Sequence, residues 1–185
     1  VRPPNSKEAG PACLNLRKSI TIDNDSESLT IDTKPEPKSF AFDYVAREDT
    51  AQEEIFKQVG APITEACLQG FNATIIAYGP TGTGKSYTIF GGNHDGQDAA
   101  SSTNSQRGLV PRALEYIFQY LREHQEQDLD SVAAKVTTTA KCSFYEIYQE
   151  RVYDLLDSNN CNASSSSSLQ VREDSKRGIF VDGIT

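Results

Sequence analysis

The residues best suited to chemistry stand in one run, Gly79-Pro80-Thr81-Gly82-Thr83-Gly84-Lys85-Ser86, which fits the spacing Gly-x-x-x-x-Gly-Lys-[Ser/Thr]. A chain of phosphates carries dense negative charge and needs several hydrogen-bond donors at close range. Backbone amides supply them when the loop curls inward, and the glycines at 79, 82 and 84 give it that freedom. Lys85 brings a flexible point charge to the β- and γ-phosphates, and the Ser86 hydroxyl can replace a water on magnesium. The run reads as a cradle for a nucleoside triphosphate with Mg2+, and all eight of its residues are candidate ligands. No Asn-Lys-x-Asp base-reading motif occurs in the chain, which favours ATP over GTP.

Such a loop needs a strand before it and a helix after it. Thr74 to Tyr78 is a short apolar segment and predicts a buried strand feeding the loop. Upstream, Thr50-Ala51-Gln52-Glu53 has the form of a capping box. It opens a helix whose apolar face carries Ile55, Val59, Ile63 and Cys67. Pro62 predicts a kink or interruption and Gly70 a stop. Before that helix, Leu14 and Leu16, Ile20 and Ile22, Leu29 and Ile31, and Phe40, Phe42 and Tyr44 alternate with polar residues as short strands do. Residues 91–107 are polar and lack apolar periodicity, which marks an exposed loop insertion. Val110, Ala113, Leu114, Ile117, Phe118 and Leu121, with Pro111 in the first turn, predict a helix of about three or four turns. Val136 to Tyr148 reads as one long strand, with Val152 to Leu156 packing behind it. A Ser-rich loop at 158–168 leads to strand candidates around Val171 and at Ile179 to Val181.

With 185 residues and 37% hydrophobic content, the chain suggests one globular unit. Its apolar stretches fall short of the roughly 18 residues of a membrane span, so no membrane insertion is expected. A net charge of −8 argues against nucleic acid as a partner. Cys13, Cys67, Cys142 and Cys161 form no Cys-x-x-Cys pair and read as reduced thiols, Cys67 and Cys142 as small core residues. His94, in the polar loop, and His124, beside Glu123, read as solvated side chains rather than catalytic ones. Asn72-Ala73-Thr74 is formally a glycosylation triplet, but it leads into the nucleotide strand and reads as accidental. Asp182 ends an apolar run and, on residue type alone, is a candidate magnesium-side carboxylate. Starting at Val1 and stopping just past an apolar run, the chain looks cut at both ends.

Several segments together resemble the N-terminal half of a kinesin motor domain. Val1-Arg2-Pro3-Pro4-Asn5 is similar to the family's Arg-Pro entry beside adenine, and Phe40 to Val45 resembles its Phe-x-Phe-Asp-x-Val strand. Thr50, Gln52, Ile55 and Phe56 follow at the family's spacing. The run Gly70-Phe71-Asn72-Ala73-Thr74-Ile75-Ile76-Ala77-Tyr78-Gly79 is similar to Gly-Tyr-Asn-Gly-Thr-Ile-Phe-Ala-Tyr-Gly, and is more specific than the phosphate loop. Arg107 to Arg112, Ser143 to Tyr148 and Tyr153 to Leu156 extend the match. Pro80, Thr83 and Ser86 stand where the family more often has glutamine, serine and threonine.

The resemblance implies a mixed α/β fold of the P-loop NTPase type, with a central sheet flanked by helices. It also implies a parent that hydrolyses MgATP to move along microtubules in the cytoplasm, and that oligomerises through regions outside this chain. Arg2 and Pro3 would lie on the adenine side. Nothing here resembles the family's switch motifs, Asn-x-x-Ser-Ser-Arg-Ser-His and Asp-Leu-Ala-Gly-Ser-Glu. No catalytic residue is therefore assigned, Asp182 is not the magnesium carboxylate by this likeness, and the 185 residues alone are expected to be inactive. Read from residues only, another P-loop ATPase or kinase, or a non-catalytic nucleotide-binding interaction module, stays open.

Overall fold

The computed structural model describes residues 19–23, 25, 27–92, 106–127, 138–157, 168–176 and 178–185. They fall in two compact units, Val1–Ala133 and Ala134–Thr185, where composition suggested one. Leu14, Leu16, His94, Cys13 and Cys161 lie outside the described residues, as does most of the 91–107 insertion and of the 158–168 loop.

The first unit opens with an antiparallel sheet of β1 (Ile20–Ile22), β2 (Ser28–Ile31) and β3 (Lys38–Ala41). Its register sets Ile22 against Leu29 and Leu29 against Phe40, as the alternation of apolar residues requires. A hydroxyl pair across the sheet, Thr30 with Ser39 at 2.7 Å, fixes the polar positions.

A helical stretch follows, made of α1 (Gln52–Ile55), a π-turn (Phe56–Gly60) and α2 (Ala61–Leu68). Its start departs from the capping box. Ala51 is the N-cap, and the Thr50 hydroxyl instead accepts the Arg47 N–H at 2.8 Å, which closes the preceding turn. Near Pro62 the α-helix is interrupted by the π-turn, as predicted, although the helical stretch continues. The proline ring excludes the carbonyl four residues back, and the wider π-turn accommodates that loss while Gly60 and Ala61 stay helical. The buried Thr64 hydroxyl donates to the Gly60 carbonyl at 2.8 Å. Gly70, at φ +95°, ends the stretch as expected, with the Phe71 N–H reaching back to the Ala66 carbonyl in a Schellman arrangement. Cys67 is exposed, contrary to its reading as core.

α3 (Lys85–Ile89) and α4 (Leu109–Gln127) complete this unit. At 19 residues, α4 is longer than its apolar face suggested, because its last turns are polar and self-supporting, as in the Gln119–Glu123 bond at 2.9 Å. It packs on α2, the π-turn and α3. Phe56 and Tyr116 meet with ring centroids 6.3 Å apart, and the Tyr116 hydroxyl donates to Glu65 at 2.7 Å. Leu109 and Val45 are the buried hydrophobic residues of the unit among those described. Gly91 bridges Arg107, which closes the base of the polar insertion.

The second unit holds two antiparallel hairpins, β4 (Tyr145–Tyr148) with β5 (Arg151–Asp154) and β6 (Gln170–Asp174) with β7 (Gly178–Asp182). Gln149 and Glu150, at φ 48° and 62°, form the two-residue turn of the first, in the twist that suits a hairpin. The long strand read over Val136–Tyr148 is thus confined to its last four residues; 138–144 are exposed and lie in no strand, and Val136 lies outside the described residues. Cys142, in that segment, is exposed rather than core. Val152 is buried, and its carbonyl takes the Leu169 N–H at 2.8 Å. Asp154, also buried, accepts the N–H groups of Leu156 at 2.8 Å and Thr185 at 2.7 Å. A side-chain hydrogen bond from Thr185 first, and then the Thr185 and Leu156 N–H bonds, hold its carboxyl below the usual carboxylate range.

Candidate phosphate-binding site

Local conformation builds the loop between Tyr78 and α3. Gly79, Gly82 and Gly84 take φ values of 151°, 82° and 98°, which L side chains rarely adopt. A Cβ on Gly79 would stand 2.8 Å from the Thr83 hydroxyl, so the close approach here also demands glycine. The Pro80 carbonyl organises the turn. It accepts the Thr83 N–H at 3.4 Å, the Thr83 hydroxyl at 2.8 Å and the Lys85 ammonium at 2.8 Å. Lys85 is turned inward and donates a second bond to the Gly79 carbonyl at 2.8 Å.

Gly84, left-handed, is the N-cap of α3, and no side chain caps that end. The first amides of the helix are therefore available to an anion, with the helix dipole in the same sense. Ser86 is exposed in the first turn. The run Gly79 to Ser86 thus forms a turn closed by its own backbone and by Lys85, leading into the start of α3. Arg2 and Pro3 lie outside the described residues.

Beside the loop opens a cleft of about 490 Å³, within the range of small-molecule sites. It is lined by Thr83, Gly84, Tyr87 and Thr88 on one side and by Arg47, Glu48, Thr50 and Gln52 on the other. Gln52 is 5% exposed, and its side-chain amide donates to the Tyr87 carbonyl at 2.6 Å. Sequence reading gave Gln52 no role. The signal was present, since Gln52, Ile55 and Val59 share one helical face and a glutamine on an apolar stripe asks for a partner.

The strand expected before the loop does not form. Residues 71–78 lie in no ladder among the described residues, with Ile76 81% and Tyr78 98% exposed. His124 is exposed and stacks on Tyr120 with centroids 3.8 Å apart, in keeping with a solvated side chain. Asp182 ends β7, where its carboxylate pairs with the Arg172 guanidinium at 3.1 Å. Among the described residues, no group of three or more His, Cys, Asp or Glu side chains is arranged to hold a metal ion, and no helix is long and apolar enough to cross a membrane.

A glycine-framed loop, an inward lysine and a hydroxyl at an uncapped helix start define the class of P-loop proteins. Comparison with known proteins narrows it: the sequence matches the kinesin motor domain over residues 1–185, and the chain belongs to the kinesin family. It is 40% identical over 187 residues to Kinesin-like protein KIF15 of Strongylocentrotus purpuratus, covering 100% of this chain and 11% of that protein. To Kinesin-like protein KIF15 of Homo sapiens it is 39% identical over 183 residues, covering 99% of this chain and 12% of that protein. The fold is similar to a solved structure of a fast kinesin, with a TM-score of 0.75 and 32% identity. That match covers all of this chain and 45% of the other. The chain therefore spans about a tenth of these curated relatives, and its fold class is the mixed α/β, P-loop NTPase-type fold of the kinesin motor.

Proposed function

We propose that Gly79–Ser86 binds MgATP and that the protein carrying this chain hydrolyses it to move along microtubules. The observation that supports the reading most is the inward-turned Lys85, held on two loop carbonyls at the uncapped end of α3. An arriving triphosphate exchanges those neutral carbonyls for charged oxygens, a stronger match for an ammonium. Glycines 79, 82 and 84 let the amides of the loop face the phosphates, with Thr81 and Thr83 contributing backbone N–H groups, while Pro80, which has no N–H, shapes the turn and offers its carbonyl to Lys85. The Ser86 hydroxyl, exposed beside those amides, fits a magnesium ligand, a hard oxygen donor next to phosphate. Bound there, magnesium neutralises phosphate charge. Arg2 and Pro3 serve the adenine side.

Kinesin membership favours this reading over the other P-loop ATPase, the kinase and the non-catalytic module. Microtubules are the partner and the cytoskeleton of the cytoplasm the location. Neither nucleic acid nor membrane insertion is part of the role, and oligomerisation belongs to regions outside these residues. By sequence, residues 91–107 are a polar loop insertion in the motor domain and 158–168 a Ser-rich loop. No residue of this chain is assigned to bond cleavage, because hydrolysis also needs an oriented water and groups that sense the γ-phosphate.

The test measures nucleotide binding with and without magnesium, phosphate release and microtubule co-sedimentation, for the full-length protein beside the 185-residue chain. Microtubule-stimulated turnover is expected from the full-length protein alone. Ser86→Ala is expected to flatten the magnesium dependence of binding. Full-length protein that binds no nucleotide would sink the proposal.

A further inference from the structure

We infer that Gln52 is a positioning residue for the phosphate loop, acting through the backbone of α3 rather than on nucleotide, an inference that rests on the nucleotide reading above. A helix of five residues ends within little more than one turn of where it begins. Its terminal carbonyls run out of intrahelical donors. In α3 the Ser86 carbonyl still receives the Phe90 N–H at 2.8 Å, but the helix stops at Ile89, and the next carbonyl, that of Tyr87, is met from outside. Gln52 meets it from the first turn of α1, 35 residues earlier, at 2.6 Å and almost fully buried.

The consequence is mechanical. Lys85 and Ser86 lie on the same short helix as Tyr87, so a pin on the Tyr87 carbonyl sets the height and tilt of the residues that face phosphate. On the far side, the Gly108 N–H holds the Phe90 carbonyl at 3.1 Å. With Gln52 gone, α3 keeps its packing on α4, the Lys85 bonds to the loop and the Gly108 bond, but it loses the pin on its middle carbonyl, and the first-turn amides are aimed less firmly. Donors act on developing or bound charge in proportion to how well they are aimed beforehand.

The chemistry of the pin gives a test that plain packing does not share. Gln52→Glu keeps the shape of the side chain but turns the donor into an acceptor facing a carbonyl. Protonation restores a donor, and the unfavourable pairing raises the carboxyl's titration above the ordinary range. Binding of fluorescent MgADP by the full-length protein is measured from about pH 7.5 to about pH 5 for the parent, Gln52→Glu, Gln52→Leu and Lys85→Ala. Gln52→Glu is expected to bind about tenfold more weakly near neutrality and to recover toward the parent as pH falls, while Gln52→Leu loses about fivefold throughout.

Affinity within about twofold of the parent for Gln52→Glu across the range overturns the inference, as does a loss without acid recovery. If Gln52→Glu does not fold, Gln52→Leu decides by the same twofold margin. Lys85→Ala separates the two layers of the reading. Loss of binding in Lys85→Ala with normal binding by both Gln52 variants overturns the role of Gln52 alone. Unchanged binding in Lys85→Ala overturns the phosphate loop, and this inference with it.

Discussion

The loop Gly79–Ser86 and the residues leading into it, Phe71–Tyr78, adjoin in sequence but reach their conformations by different means. Bonds that shape the loop span three to six residues, from Thr83 to Pro80 and from Lys85 to Gly79. Its glycines supply the rest by adopting left-handed backbone. Phe71–Tyr78 has a composition suited to a strand yet forms no ladder among the described residues. A strand's backbone groups need partners from elsewhere in the chain, whereas a tight loop finds them within itself. Local chemistry alone is enough for the phosphate loop, and it is not enough for the strand beside it.

The largest effect should come from removing the charge at the centre of the local design. Lys85→Ala deletes both bonds to the loop carbonyls and the one cation of the run, and is expected to weaken triphosphate binding by about 100-fold or more. Nucleotide titration of the two proteins checks it. Equal affinities would show that the loop's own bonds, and not its charge, define this region.

A smaller loss follows from backbone alone. Gly79→Ala places a methyl group against the Thr83 hydroxyl at 2.8 Å in a left-handed conformation, and should weaken binding by about tenfold. Gly70→Ala is the matched control: its φ is +95°, but a Cβ there meets nothing within 4 Å. It should cost about 1 kcal/mol of stability and leave affinity untouched. Identical behaviour of the two variants in the titration would mean that left-handed backbone, and not the geometry of the cradle, is what binding senses.

What was legible in the sequence divides along the same line. The Gly-rich loop, the Gly70 stop and the apolar alternation of the strands at Ile20–Ile22 and Ser28–Ile31 follow from residues near one another in sequence. The Thr50 cap misled because its hydroxyl had a competing local partner in the Arg47 amide, whereas the interruption expected at Pro62 is present as a π-turn that absorbs the lost bond. Val136–Tyr148 misled for the reason Thr74–Tyr78 did, since β-propensity names a candidate strand without naming its neighbour. Gln52 was signalled only as a glutamine on an apolar stripe, and the identity of its partner, a backbone carbonyl 35 residues away, has no signature in sequence.

Asp154 extends the comparison to a side chain with one local and one distant partner. One oxygen takes the Leu156 N–H two residues on, and the other takes the Thr185 N–H 31 residues away. Both bonds favour the charged form, and the carboxyl titrates below its ordinary value of 3.8 when folded. Its stabilising contribution is therefore complete above the ordinary carboxylate range and is lost as pH falls through that range toward the lower folded value. Asp154→Asn should lower stability near neutrality and flatten the acid side of a stability–pH curve. Parallel curves for the two proteins would show that neither bond persists in solution.

The smallest expected effect is the sharpest check on the comparison. Ile76 is 81% exposed, so exchanging it for serine removes little surface that folding had withdrawn from water. Ile76→Ser in this 185-residue chain should change unfolding free energy by no more than about 0.5 kcal/mol, the range of ordinary surface substitutions. Leu109→Ala sets the scale. Leu109 is only 4% exposed, and truncating it should cost about 2–4 kcal/mol through lost burial and an unfilled cavity. Denaturant unfolding of both variants beside the parent decides the matter. A loss near 2 kcal/mol for Ile76→Ser would mean that the segment is covered in solution, because only a side chain withdrawn from water has that much to lose. Phe71–Tyr78 would then share a buried strand's dependence on partners, and the contrast with the loop would be one of how far away those partners lie.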